Sequence, residues 1–362
     1  MITLLGIVLG FILVISAIMI GGSPMAFLNP PSILIVIVVY WGVKPNVQQP
    51  NTDPSIVASY GAWQSPITAA SIFEAADRVS YLTVDNNQLY FVESKASANG
   101  KNVLFKLEQS GQGKQLTSSE ISVRSRVHEY GGRPYVVSGD NIYYSQFADQ
   151  KIYQMSENTA PVAISGEGLR YVECVVDQQR NRLICVREDH RGLGEAVNTL
   201  VAISLDSGNQ EVILFEGTDF VASPQISPDG KSVAFITWLH PNMPWDDTQL
   251  RVLLFSEAGA VESTVEVPQS GNVSIRKPQY AKDGSLYFIA DFENWWTLYR
   301  VKGAVDQQTK PEKVFDENIE LNSFGIENQD HAIVAYTKEG ESRVARVNLN
   351  TGELTNIGDT FS

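Results

Sequence analysis

"SPDGKSVAFITWLHPNMPWDDTQLRVLLFS", residues 227–256, sets a tight turn before an apolar strand, then a long loop before a second apolar strand. Asp tolerates left-handed backbone and caps its own turn, and Gly adopts that backbone freely. "VAFITW" is rich in the β-branched and aromatic residues that strands prefer. The same succession recurs six times after residue 78. The other turns are "DNNQ" (85–88), "SGDN" (138–141), "DQQRN" (177–181), "AKDGS" (281–285) and "ENQDH" (327–331). Each is followed by an apolar strand: "LYFVES", "IYYSQF", "LICVRE", "LYFIAD" or "AIVAYT". A third strand and a short fourth strand close each unit, as in "WTLYRVK" and "EKVF". The turns recur at about 49 residues, and a four-stranded unit at that period is the mark of a β-propeller. No single sheet buries both of its faces, so such units stack around an axis. The predicted fold is therefore all-β, a propeller of about six four-stranded blades. They cover residues 79–117, 126–165, 169–217, 218–268, 273–316 and 322–358. The sixth unit reads as the last of an unfinished seven-bladed ring, which would leave strand edges and blade faces bare.

The rest of the chain is organised around that block. Residues 1–43 are an uncharged leader, 44–78 a linker and 79–362 the propeller. Within the leader, residues 2–20 are uncharged and mostly apolar. A run of roughly 20 such residues spans a membrane as a helix. A second apolar run, 32–43, is short for a full crossing and makes the leader a helix or helical hairpin. A signal peptide is the rival reading, but a basic start and a small-residue cleavage site are lacking. The expected location is the membrane, through residues 2–20, or the cytoplasm if the leader is not native to the protein. Lys and Arg number 27 against 41 Asp and Glu, a net charge of −14. That surplus repels phosphate backbones and argues against nucleic acid as a partner.

Two resemblances follow. "LLGIVLGFILVISAIMIGGSPMAFLNPPSILIVIV" (4–38) resembles the first hairpin of the flagellar motor stator A-subunit, with an oily helix, a "GGS" turn and a second helix. That likeness stops near Val38, and the ion-path residues of the stator have no counterpart here. The second is broader. "YGAWQSPITAASIFEAADRVS" (60–80), "VRSRVHEYGGRPYVV" (123–137), "LICVREDH" (183–190), "SPDGKSVAFITWLHPNMPWDDTQL" (227–250) and "DGSLYFIADFENWWTLYRV" (283–301) resemble the N-terminal propeller of prolyl oligopeptidase-family serine peptidases. The acylaminoacyl peptidase and dipeptidyl aminopeptidase branch is the most similar. In that family the propeller caps an α/β-hydrolase domain with a Ser–Asp–His triad and a GxSxG elbow. No GxSxG occurs in these 362 residues, so no catalytic residue can be assigned. The resemblance implies a non-catalytic, substrate-gating propeller, inactive alone, whose partners are short peptides and a peptidase catalytic domain. A membrane-anchored, TolB-like binding propeller is the alternative. A stator-related membrane protein is the remote one.

Candidate substrate contacts are few. In "HEYGG" (128–132), Arg126, His128 and Glu129 could face an axial tunnel or a peptide, Glu129 pairing a free amino group. The competing reading makes Gly131 and Gly132 close-packing residues and Tyr130 a core filler. "WLHPNMPWDD" (238–247), with Trp238 and Trp245, is either a rigid rim for an entrance or a surface loop pinned by Trp245. "ENWWTLYR" (293–300) reads as blade packing. "REDHRGLGE" (187–195) lacks the spaced oxygen ligands of a calcium loop and reads as a solvated hairpin tip. No Cys/His cluster suggests a metal, and no cofactor is expected. Cys174 and Cys185 lie in neighbouring strands of one blade. A disulfide is geometrically feasible there, though a pair of buried thiols is the commoner state.

Overall fold

Each of the six turns joins the first two strands of a four-stranded antiparallel sheet. Asn86, Asn87 and Asn181 in these turns take left-handed backbone, with φ of 46°, 61° and 46°. A computed structural model describes residue 67 and residues 77–358, apart from 96–98, 207, 270, 304, 307–308 and 316–318. The chain divides into two units, residues 1–66 and 67–362, and only the second contains described residues. The leader, with its segments 2–20 and 32–43, lies outside them. Among the described residues no helix is long and apolar enough to cross a membrane.

The first sheet comprises β1 (Arg78–Asp85), β2 (Gln88–Lys95), β3 (Lys101–Leu107) and β4 (Gly113–Gln115). The second comprises β5 (Tyr135–Ser138), β6 (Asn141–Ser145), β7 (Ile152–Met155) and β8 (Val162–Ala163). In the third are β9 (Leu169–Asp177), β10 (Arg182–Asp189), β11 (Val197–Ser204) and β12 (Glu211–Phe215). In the fourth are β13 (Phe220–Ile226), β14 (Ser232–Trp238), β15 (Gln249–Phe255) and β16 (Val261–Glu266). The fifth holds β17 (Ile275–Tyr280), β18 (Leu286–Ala290), β19 (Thr297–Val301) and β20 (Glu312–Lys313). The sixth holds β21 (Glu320–Ile326), β22 (His331–Lys338), β23 (Glu341–Asn348) and β24 (Leu354–Asn356). Every sheet is an up-and-down meander, and its first strand lies nearest the axis. The protein is a six-bladed β-propeller, and no seventh sheet occurs among the described residues. The fourth strands are mostly two to three residues long, which blunts the exposed edges.

Apolar residues of facing blades bury one another. Tyr90, Val92 and Leu104 of the first blade pack on Tyr135, Ile142 and Tyr144 of the second. Equivalent clusters join the second to the third, the third to the fourth, the fourth to the fifth and the fifth to the sixth. Central strands such as β10 and β14 are buried on both faces, which is why they read as near-continuous apolar runs. Among the described residues no such cluster joins the sixth blade to the first. Val79 and Val84 of β1 stay exposed there.

Cys174 and Cys185 form a disulfide, not the free thiols favoured from sequence. They face each other where a bulge shifts the register between β9 and β10, and their Cα atoms are 4.1 Å apart. The bond closes a loop of sequence separation 11. The chain-entropy model gives such a loop about 2–3 kcal/mol. Replacing both cysteines with alanine should lower urea-unfolding stability by that amount, and adding a reductant to the double variant should change nothing.

Candidate functional site

The innermost strands do not run straight. In β1, β9, β13, β17 and β21 the register with the second strand slips at the middle of the strand. Four residues at the slips, Tyr81, Glu173, Ser223 and Lys277, take left-handed backbone with φ near 54°. A bulge re-aims the side chain it carries. Glu173, Ser223 and Lys277 accordingly line a cavity of about 470 Å³ on the propeller axis. All six blades contribute to its wall. Leu82 comes from β1, Arg133 from just before β5, Gln225 from β13, Gln279 from β17 and Phe324 from β21. Glu173 Oε2 accepts the Ser223 N–H at 2.6 Å, and Lys277 Nζ donates to the Asn322 carbonyl at 3.0 Å. Solvent reaches Lys277, but the surrounding strands, and then Arg276 beside it, lower the pKa of its ammonium.

A second cluster lies on one face of the ring. Because each blade alternates direction, the starts of first strands, the loops between second and third strands and the ends of fourth strands share that face. The start of β1 and the end of β24 are both on it. So is the connector between the first two blades, residues 116–134, which carries "HEYGG". His128 and Glu129 both have left-handed backbone, with φ of 55° and 63°. The His128 N–H donates to Glu188 Oε1 at 2.6 Å, and its Nε2 lies 3.2 Å from Asn198 Oδ1. Its ring sits 5.3 Å from Trp238, 5.5 Å from Phe220 and 5.6 Å from Tyr130. Burial pushes its imidazole below the ordinary range and so favours the neutral ring. Glu188 is buried and also holds His190 Nε2 at 2.9 Å. Glu129 is exposed, and Arg170 bonds it at 2.7 Å and lowers its pKa.

Arg126, His128, Glu129, Tyr130 and Trp238 thus meet on this face, and none of them lines the axial cavity. Arg126 stacks on Phe147 at 5.2 Å and is exposed. Tyr130 does not fill core, because 63% of it is exposed. Trp245 does not pin its loop, being 61% exposed. Residues 239–248 are held instead by His240, whose N–H donates to Asp219 Oδ2 at 2.8 Å, and by Ser274, which donates to the Pro244 carbonyl. Trp238 is buried and stacks on Phe220 at 4.9 Å. Leu193, Leu239, Met243 and Trp295 add to the exposed apolar surface of this face. Trp296 is half-buried, with the Arg276 guanidinium 3.9 Å above its ring. In the 187–195 hairpin, Arg191 binds Asp189 and holds its carboxyl down to about 2. No cluster of metal-ligating side chains occurs among the described residues.

Gly131 fixes the connector. Its φ is +84°, and a Cβ there would lie 2.7 Å from the Ser125 carbonyl oxygen. Gly131→Ala should therefore cost about 2–3 kcal/mol, combining the left-handed penalty with a clash against backbone. A smaller loss in thermal or urea unfolding would mean that the connector yields.

The chain is similar to a puromycin-hydrolysing peptidase of Mycobacterium tuberculosis. Sequence identity is 26% and the TM-score 0.75, over 84% of this chain and 50% of that one. A puromycin hydrolase matches at 25% identity and a TM-score of 0.75, over 83% of this chain and 50% of that one. The neighbours in structure are peptidases of the prolyl oligopeptidase family. Prolyl oligopeptidase B of Galerina marginata shares the fold at 13% identity and a TM-score of 0.59, over 80% of this chain and 45% of that one. The propeller matches the propeller domains of these peptidases, and the chain spans about half of their length. No family model and no curated protein matches it.

Arg133, Glu173 and Lys277 escaped the sequence reading. Their signal was a charged side chain inside or beside an apolar strand, as in "LRYVECVVD" and "IRKPQY". Period-2 reasoning gives no warning of a bulge that turns such a residue to the axis.

Proposed function

We propose that this propeller gates substrate for a prolyl oligopeptidase-type hydrolase domain and has no peptidase activity by itself. The observation that carries this is the axial cavity walled by all six blades. Its volume of about 470 Å³ is enough for a short peptide segment and far less than a folded domain. Two features support the docking side. The propeller begins and ends on the face that carries the exposed Tyr130, Leu239, Met243, Trp245 and Trp295. Exposed aromatic and apolar residues gathered on one face mark an interaction surface. Acyl transfer would then belong to the docked domain, with its serine and oxyanion hole. Arg126, Glu129 and Tyr130 would stand on the docked side, where a substrate amine meets the exposed Glu129 carboxylate.

The direct test is turnover. Purified chain incubated with aminoacyl-nitroanilide and acyl-peptide substrates should release product at the rate of a buffer blank. Release above the blank that survives further purification would end this reading.

A further inference from the structure

The axial cavity differs in charge from the rest of the chain. Its ionisable lining is Arg133, Lys277 and Glu173, one cation in excess, within a protein of net charge −14. Glu173 is already engaged by the Ser223 N–H. Arg133 is not engaged. Among the described residues its guanidinium has no ion pair, and its Nε is buried without a hydrogen-bond partner. A guanidinium without an ion pair at a cavity wall can take an acceptor through its outer N–H groups. The planar guanidinium fork matches the two oxygens of a carboxylate, and low-dielectric walls focus the field of both cations. The remaining lining is peptide-like in its demands. Gln225 and Gln279 can each donate and accept, while Leu82, Pro224, Pro278 and Phe324 offer apolar contact.

We infer that the axial cavity is an anion site that holds the C-terminal carboxylate of a short peptide, with Arg133 as the gripping group and Lys277 adding positive field. This deepens the gating reading, for it names the end of the peptide that the propeller holds. Peptides would then occupy the axis carboxylate-inward, leaving the amino end free.

Calorimetric titration of the full chain tests it with three probes: trialanine as the free acid, trialanine amide, and succinate. The free acid should bind at least tenfold tighter than the amide. Arg133→Gln should reduce that ratio to below threefold, and Lys277→Gln should weaken acid binding while sparing amide binding. Unchanged melting temperatures would establish that both variants fold. Equal affinity for acid and amide would overturn the anion site and leave gating untouched. Succinate binding without binding of the peptide acid would overturn the peptide assignment in favour of a free organic acid. Binding of no probe would overturn the inference, whereas the gating reading is tested separately, by turnover and by size discrimination.

Discussion

Asp177→Ala should lower unfolding stability by about 3–5 kcal/mol, the range for removing one partner of a buried charge network. Asp177 is 0% exposed at the end of β9. Its Oδ2 accepts Arg182 Nε at 2.8 Å and Arg180 Nη1 at 3.1 Å. The two guanidiniums then reach into the next blade. Arg180 donates to the carbonyls of Gly230 and Ser256, and Arg182 to that of Gly259. Both also lie over the Phe255 ring, at 5.3 Å and 4.8 Å. Removing the carboxylate leaves two cations facing each other in a site with little solvent. The penalty arises from the stranded charges and is not the net worth of the cluster. Asp177 Oδ1, Arg180 Nε and Arg182 Nη2 are already buried without partners. A triple replacement by Leu, Met and Met strands no charge but removes the donors to the Gly230, Ser256 and Gly259 carbonyls, so it should cost clearly less than the single substitution without being neutral. Urea unfolding of the two variants decides this. A mild Asp177→Ala, or a triple variant as damaged as the single one, would contradict it.

Phe288→Ala should cost about 3–5 kcal/mol, the usual range for truncating a buried aromatic. Phe288 is fully buried in β18, amid Ile236, Leu250 and Val252 of the fourth blade and Tyr299 of its own. No solvent-facing element can collapse into the void, because sheets on both sides are already packed. Val84→Ala provides the contrast. Val84 is 67% exposed where the first and sixth blades share no buried cluster among the described residues. Its loss should lie within about 0.5 kcal/mol, as for most exposed positions. Comparable losses for the two would mean that the seam is sealed as firmly as the other five interfaces.

The fold was legible because its physics is local and repeated. "LYFVES" falls within β2 and "AIVAYT" within β22, each a strand buried or half-buried on both faces after an Asx-rich turn. Five of the six turns carry left-handed backbone, at Asn86, Asn87, Gly139, Asn181, Gly230 and Gly284, and Asn and Gly announced it. Local conflict with the pattern was harder to read. Glu173 and Lys277 reach the axis only because a bulge breaks the alternation, and a bulge has no residue code. Tyr130 was expected in the core, beside the close-packing Gly131 and Gly132. Its connector instead crosses the face of the ring, and His128 takes the packed place against Phe220 and Trp238. The disulfide was undecided for the same reason as the bulge. Two cysteines in adjacent strands meet only if the register sets them opposite.

Size discrimination tests gating most directly. This propeller would be grafted in place of that of the puromycin-hydrolysing peptidase, and the chimera compared with the hydrolase domain alone on a tripeptide nitroanilide and on denatured casein. A gating propeller leaves tripeptide cleavage intact and suppresses casein cleavage at least tenfold relative to the bare domain. Casein and tripeptide cleaved by the chimera in the same proportion as by the bare domain would show that the propeller admits whatever reaches it, and the gating function would be lost.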